Sequence, residues 1–446
     1  MRSRAFLQGG LLALLSVVTS LAAEPARQPE RPPATLAELN QLAEARTETA
    51  GARARLPLAD PTGDVPSLEP PGSQRTPNYV RVFSIMPQGA APFAHLFQTV
   101  LFGGTIPAET KLAAGVRVAQ INRSPYVAAH LQRFLRATPR GRTHLASLQA
   151  GQSSVNLPAA DQAAIRYADL LTRDIHGITD AEFARIRQSF HDSQIVELTM
   201  AVCFFNYLTR FSEALHLPVE PWVLDPTTQP VLPPVRQNPL RQARISLVSD
   251  EEMKAVVQAE AAMRDPATRQ TGLGLPIANS QRAMLRVPDF QAAWRAYGTS
   301  VRANSQIGRE IQLQVSLAVS MANGCRYCTV HQIVGLRRQG VDPGKLMAMR
   351  KDDLALAPRE RTAVAFARQL TAQPDSISDA DFAKLRQEFQ EYGALEVVLQ
   401  TCAFSFMNRF TDNLRLPSEE EAIEIYREVF GEDRLFSDQS RTRRDR

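Results

Sequence analysis

The stretch Glu310-Ile-Gln-Leu-Gln-Val-Ser-Leu-Ala-Val-Ser-Met-Ala-Asn-Gly324, followed at once by Cys325-Arg-Tyr-Cys-Thr-Val-His331, decides how the chain reads. Its first part mixes apolar residues with few breakers and closes on Asn-Gly, which predicts a helix ending near Gly324. A second helix is predicted to start at the cysteines. A Cys-x-x-Cys pair at a helix N-terminus faces unpaired backbone N–H groups and the positive end of the helix dipole, both of which favour a thiolate. Such surroundings bring a cysteine pKa from about 8.5 down to roughly 3.5–7.5. His331 stands three residues after Cys328, on the same helical face, so its imidazole is expected to take or return the thiol proton.

Other chemistries fit less well. A haem attachment site requires histidine directly after the second cysteine, where this chain has Thr329. A zinc site needs four ligands, and neither a second Cys-x-x-Cys nor a His-x-x-x-His occurs. No cofactor and no metal is therefore expected. A structural disulfide, or simply two buried thiols, stays open beside the redox reading.

Around these residues the chain resembles the alkylhydroperoxidase D-like, or carboxymuconolactone decarboxylase-like, family. Its signature is a glutamate, a helix and then Asn-Gly-Cys-x-Tyr-Cys closely followed by histidine, and Asn323-Gly324-Cys325-Arg326-Tyr327-Cys328 matches it. Two positions depart from the pattern. Peroxidase members place the histidine four residues after the second cysteine, where Gln332 stands, and a relay glutamate about twelve residues before the first cysteine, where Leu313 stands. Glu310 lies one turn earlier and is the nearest candidate for that relay. The resemblance implies an all-α fold, a peroxidase with Cys328 attacking and Cys325 resolving, and a homo-oligomer, with a trimer of fused pairs giving six lobes.

The chain also repeats itself with a period near 200 residues. Thr179-Asp-Ala-Glu-Phe-Ala-Arg-Ile-Arg-Gln-Ser-Phe190 aligns with Ser378-Asp-Ala-Asp-Phe-Ala-Lys-Leu-Arg-Gln-Glu-Phe389, and with the same shift Cys203 meets Cys402, Arg210 meets Arg409 and Leu217-Pro218 meets Leu416-Pro417. Upstream the shift is 201: Glu109 meets Glu310, Tyr126 meets Tyr327 and His130 meets His331, but Ser124 replaces Cys325 and Val127 replaces Cys328. The first copy thus has no redox thiols. Residues kept in both copies could be structural. Cys203 and Cys402 sit in apolar helical stretches and read as buried small hydrophobes.

These features predict two tandem alkylhydroperoxidase D-like helical domains. Residues 1–23, with Arg2 and Arg4, the apolar run from Leu11 to Ala22 and Ser20-Leu-Ala-Ala23, read as a signal peptide. Residues 24–76 read as a proline-rich linker holding a helix from Leu36 to about Arg53 capped by Thr35. The thiol-free repeat is expected over 77–220, a connector with a helix opened by Ser249-Asp-Glu-Glu252 over 221–275, the thiol repeat over 276–430 and a basic tail over 431–446. Pro158 and Pro358 suit first helical turns. A net charge of +5 and the absence of an aromatic-plus-basic pattern give no sign of nucleic-acid binding.

The sequence points to an exported protein that reduces peroxides through Cys328, Cys325, His331 and Glu310, with an electron donor it does not identify. Export places the pair in oxidising surroundings, where it rests as a disulfide unless a donor reduces it. A general thiol–disulfide oxidoreductase and a non-catalytic helical binding protein are the alternatives.

Overall fold

The computed structural model of the chain describes residues 31–73, 75–150, 157–233, 278–351 and 355–431. The expected signal peptide, the helix at Ser249 and the basic tail after residue 431 lie outside them. Among the described residues the fold is all-α, with no strand and only an isolated bridge between Thr47 and Val219.

The predicted helix before the thiols spans Gly308–Asn323 and ends because Gly324 adopts φ 70°, a left-handed cap that a side chain would strain. The next helix, Arg326–Arg338, begins with Cys325 as its N-cap, the Cys325 sulfur accepting the Cys328 N–H at 3.4 Å. Helices Ala159–Arg173 and Pro358–Ala372 form where Pro158 and Pro358 fix the entering backbone. Thr35 caps Leu36–Ala45, its hydroxyl taking the Glu38 N–H at 3.1 Å while the Glu38 carboxylate takes the Thr35 N–H at 2.7 Å. That helix stops eight residues short of the expected Arg53. Arg46 leaves it to bind Glu213 and the Ser212 carbonyl, and Thr47 opens a turn by accepting the Ala50 N–H. The proline-rich segment that follows runs through turns and bends and is docked: buried Glu69 makes two bonds to Arg133 at 2.6 and 2.7 Å, and Leu56 and Leu68 are covered.

Contacts in one half recur in the other at the shifts of the sequence repeat. Glu197 accepts the N–H groups of Thr105 and Ile106, and Glu396 accepts those of Gln306 and Ile307. Asn122 donates to Thr209, and Asn323 to Asn408. Helix Asp192–Ala214 begins anew after a break at Phe190, and its counterpart emerges from a kink at Gln390 (φ 55°, ψ −172°) inside Asp379–Asn413.

One apolar core runs through both halves within residues 33–446. Helix Pro87–Phe102 packs on Pro288–Arg302, and Asp192–Ala214 on Asp379–Asn413. At this seam Phe93 lies 5.3 Å from the Tyr297 ring, and the Tyr207 and Tyr297 hydroxyls meet at 2.5 Å. The seam is reciprocal: the Arg409 charge acts on Cys203 and the Arg210 charge on Cys402, as across a two-fold axis. Each fully buried aromatic contributes on the order of 1.5–3 kcal/mol, so the halves cohere as layers of one body and not as separate beads.

Candidate active site

The turn at Gly324 delivers both cysteines into a small apolar cluster with Tyr327 and Ile175, flanked by Met407 and Leu416. Cys325 is 0% and Cys328 4% exposed, and both are free thiols. From the facing helix Asp379–Asn413, the Thr411 hydroxyl comes within 3.3 Å of each sulfur.

The two thiols are pushed apart. Burial raises Cys325 well above the usual thiol range, and its bond to Cys328 and the Asp412 charge add to this. Burial also opposes ionisation of Cys328, but hydrogen bonds from Cys325, Thr411 and Asn408, together with the His331 charge, hold that thiol below its ordinary value. Cys328 is the sulfur prepared to carry charge.

His331 is held by acceptors on both sides. Nδ1 meets the Tyr327 carbonyl at 2.7 Å, and Nε2 meets the Glu419 carboxylate at 2.6 Å. A ring facing two acceptors must donate from both nitrogens, which requires the imidazolium. Burial works against that charge, yet the bonds from Glu419 and Tyr327 win and the His331 pKa is raised. Glu419 is correspondingly lowered: burial opposes its ionisation, but the bonds with His331 and with the Asn279 N–H prevail. The Tyr327 ring stacks on His331 at 4.2 Å and its hydroxyl reaches Glu419 at 3.3 Å.

This arrangement revises two expectations. With both nitrogens occupied, His331 acts on Cys328 as a fixed positive charge; no bond between them carries the thiol proton. Glu310 does not orient His331. It sits in the first turn of its helix, about 20 Å along the axis from the thiol end, where Lys345 at 2.8 Å and Gln314 at 3.0 Å engage its carboxylate. Glu419 holds the imidazole instead, from 88 residues further along the chain. The repeat carried the signal that finds it, since Glu220 and Glu419 follow Leu217-Pro218 and Leu416-Pro417 at the common shift of 199.

The thiol-free half contains the same frame. His130 meets Glu220 at 3.0 Å, Tyr126 donates to Glu220 at 2.9 Å, and the Asn78 N–H donates to the same carboxylate. Beside the thiol site a cavity of about 190 Å³ is lined by Trp294, Tyr297, Leu399 and Ala403. It shares two residues with the site: Met407, and Ser280, whose N–H donates to the Tyr327 hydroxyl at 3.2 Å.

Residues 288–369 match the Carboxymuconolactone decarboxylase family, so the stretch carrying Cys325, Cys328 and His331 is carboxymuconolactone decarboxylase-like. A solved structure of the debrominase Bmp8 in complex with 2,3,4-tribromopyrrole is similar at 21% identity and a TM-score of 0.36, over 42% of this chain and 98% of that one. No curated protein matches.

Proposed function

We propose that the chain is a duplicated helical protein whose second half is a thiol peroxidase. The observation that carries this reading is the geometry of two adjacent buried thiols at one helix start, each within 3.3 Å of the Thr411 hydroxyl, on the same helix as His331, which Glu419 holds at 2.6 Å. The Cys328 thiolate attacks the distal oxygen of a hydroperoxide; the O–O bond breaks, Cys328 becomes a sulfenic acid, and the proton Cys328 had lost ends on the departing alcohol. The Cys325 sulfur then attacks the sulfenic sulfur, an S–S bond replaces the S–O bond, and hydroxide leaves with the Cys325 proton as water. A thiol donor must supply two electrons to reopen the disulfide. His331, kept protonated by Glu419, stabilises the first thiolate, and residues 1–23 would direct the protein to an oxidising compartment.

Burial favours a small substrate over exchange with protein thiols, because a bulky disulfide cannot reach sulfurs that are 0% and 4% exposed. The neighbouring cavity has an apolar wall of Trp294, Tyr297 and Met407 and a polar one with Arg295, Arg302 and Gln400, room for a small hydroperoxide with both an apolar and a polar end. The test uses full-length Cys325→Ser and Cys328→Ser proteins treated with cumene hydroperoxide and a sulfenic-acid trap. Trapping is expected at Cys328 in Cys325→Ser, where the serine hydroxyl still donates to the attacking sulfur, and not at Cys325 in Cys328→Ser. Trapping only at Cys325 reverses the roles; trapping at neither, with no peroxide consumed by the parent protein, refutes the reading.

A further inference from the structure

The thiol-free half reaches into the thiol site. After helix Ala159–Arg173 the chain makes a tight turn in which the Asp174 carboxylate accepts the His176 N–H at 2.9 Å and the Asp174 carbonyl accepts the Gly177 N–H at 2.9 Å. The turn places Ile175 in the same apolar cluster as Cys325, Tyr327 and Cys328. It also lays the His176 ring over Gly324: a Cβ at that glycine would stand 3.1 Å from Nε2. The other ring nitrogen, Nδ1, is paired with the Asp412 carboxylate. Asp412 directly follows Thr411, whose hydroxyl lies 3.3 Å from both sulfurs.

The first half shows what a carboxylate at this place does. Glu213, the counterpart of Asp412, accepts from the Ser124 hydroxyl at 2.6 Å, and Ser124 occupies the place of Cys325. There the carboxylate is balanced by Arg46 at 2.5 Å, a permanent cation. Among the described residues the ion-pair partner of Asp412 is His176, from the other half.

We propose that His176 is a positioning residue for the resolving step, balancing the Asp412 charge beside Cys325 so that this sulfur can release its proton and close the disulfide. An unbalanced carboxylate next to a sulfur opposes thiolate formation, and the Asp412 charge already raises Cys325. The proposal rests on the peroxidase reading for the step it serves, in which Cys325–SH and Cys328–SOH yield the disulfide and water. It also explains why a half without thiols is built into a thiol protein: the site is incomplete without it.

The experiment has two arms, both in the full-length chain. In Cys328→Ser protein, with no peroxide present, the iodoacetamide alkylation rate of Cys325 is measured with His176 intact and as His176→Gln or His176→Arg. Glutamine keeps a donor for Asp412 but no charge, so alkylation is expected to fall about tenfold, the effect of one pKa unit; arginine is expected to restore it. In protein with both cysteines, hydrogen peroxide is added and the sulfenic acid followed. His176→Gln is expected to prolong its lifetime about tenfold while leaving its rate of formation within twofold of the parent. Equal alkylation in all three backgrounds overturns the proposal, as does a His176→Arg protein no faster than His176→Gln. If the parent forms no sulfenic acid, the peroxidase reading fails, while the alkylation arm still decides what His176 does to Cys325.

Discussion

Replacing Glu419 with glutamine isolates the charge logic of the site, because the side chain keeps its shape and loses only its charge. In the parent, Glu419 Oε1 accepts the Asn279 N–H at 2.6 Å and the Tyr327 hydroxyl at 3.3 Å, while Oε2 accepts from His331 Nε2 at 2.6 Å. Glutamine can leave its oxygen toward Asn279, which turns its amide NH2 toward His331. Two donors then face each other unless the ring gives up the Nε2 proton. Nδ1 must still donate to the Tyr327 carbonyl, so Glu419→Gln is expected to convert His331 to the neutral tautomer protonated on Nδ1. With the carboxylate gone, burial is opposed only by the Tyr327 carbonyl bond and the Cys328 charge, and the raised pKa of the ring comes down. Cys328 then loses the positive charge that helps to hold it low. An opposite charge nearby is worth about 1–3 pKa units; taking the lower figure, the Cys328 titration moves up by about one pH unit, a tenfold change in its ionisation constant. The assay is the pH titration of thiolate ultraviolet absorbance for Cys328 in a Cys325→Ser background, with and without Glu419→Gln. A Cys328 titration curve unmoved by the substitution would falsify the claim that His331 acts on the sulfur through its charge.

The same pair sets a pH window for stability. His331 has a folded pKa above 6.5, so its contribution is complete below 6.5 and lost as pH rises through the higher folded value; Glu419 lies below 4.5, so its contribution is complete above 4.5 and lost as pH falls through the lower one. The stabilities of the parent and Glu419→Gln, read from thermal unfolding, should therefore differ most between pH 4.5 and 6.5, by about 1 kcal/mol for a pair that is partly solvent-exposed, and a gap that does not shrink at lower and higher pH contradicts it. Glu310→Gln removes an exposed ion pair with Lys345 and should cost at most about 1 kcal/mol, with Cys328 alkylation unchanged; a loss of reactivity would return Glu310 to the site. Cys203→Ser buries a hydroxyl at a fully buried place in the seam and should cost on the order of 1–3 kcal/mol in denaturant unfolding, with peroxide turnover per folded molecule intact.

What the sequence disclosed followed the range of the interactions involved. The end of helix Gly308–Asn323 was legible because Asn-Gly followed by a left-handed glycine is a property of two residues, and the Thr35 cap because its box closes within four. The far end of that capped helix was not, since what unwinds it is an ion pair with Glu213, 167 residues away. The same rule governs the site. The thiols and His331 lie on one helix start, so spacing found them. Glu419 and Thr411 come from a helix and its following loop that only folding brings over the sulfurs, and His176 comes from the other half altogether. Glu310 was misplaced for the converse reason: sequence nearness to the cysteines puts it at the opposite end of a straight helix.

The thiol-free half then separates scaffold from chemistry. Because His130, Tyr126 and Glu220 bond one another without any sulfur to serve, the corresponding frame of His331, Tyr327 and Glu419 has a packing role that precedes its electrostatic one. That frame closes the chain after each long helix onto the start of its half, through Asn78 in one and Asn279 in the other. What distinguishes the second half is a short set of exchanges on this shared frame: Ser124 to Cys325, Val127 to Cys328, Ser212 to Thr411, and the Arg46–Glu213 pair to His176–Asp412. The first two supply sulfur, the third sets a hydroxyl against it, and the last exchanges an arginine from the same half for a histidine from the other one. If the frame is scaffold and these exchanges are the chemistry, then grafting cysteines at 124 and 127 alone should yield thiols that alkylate but do not discriminate between attacker and resolver.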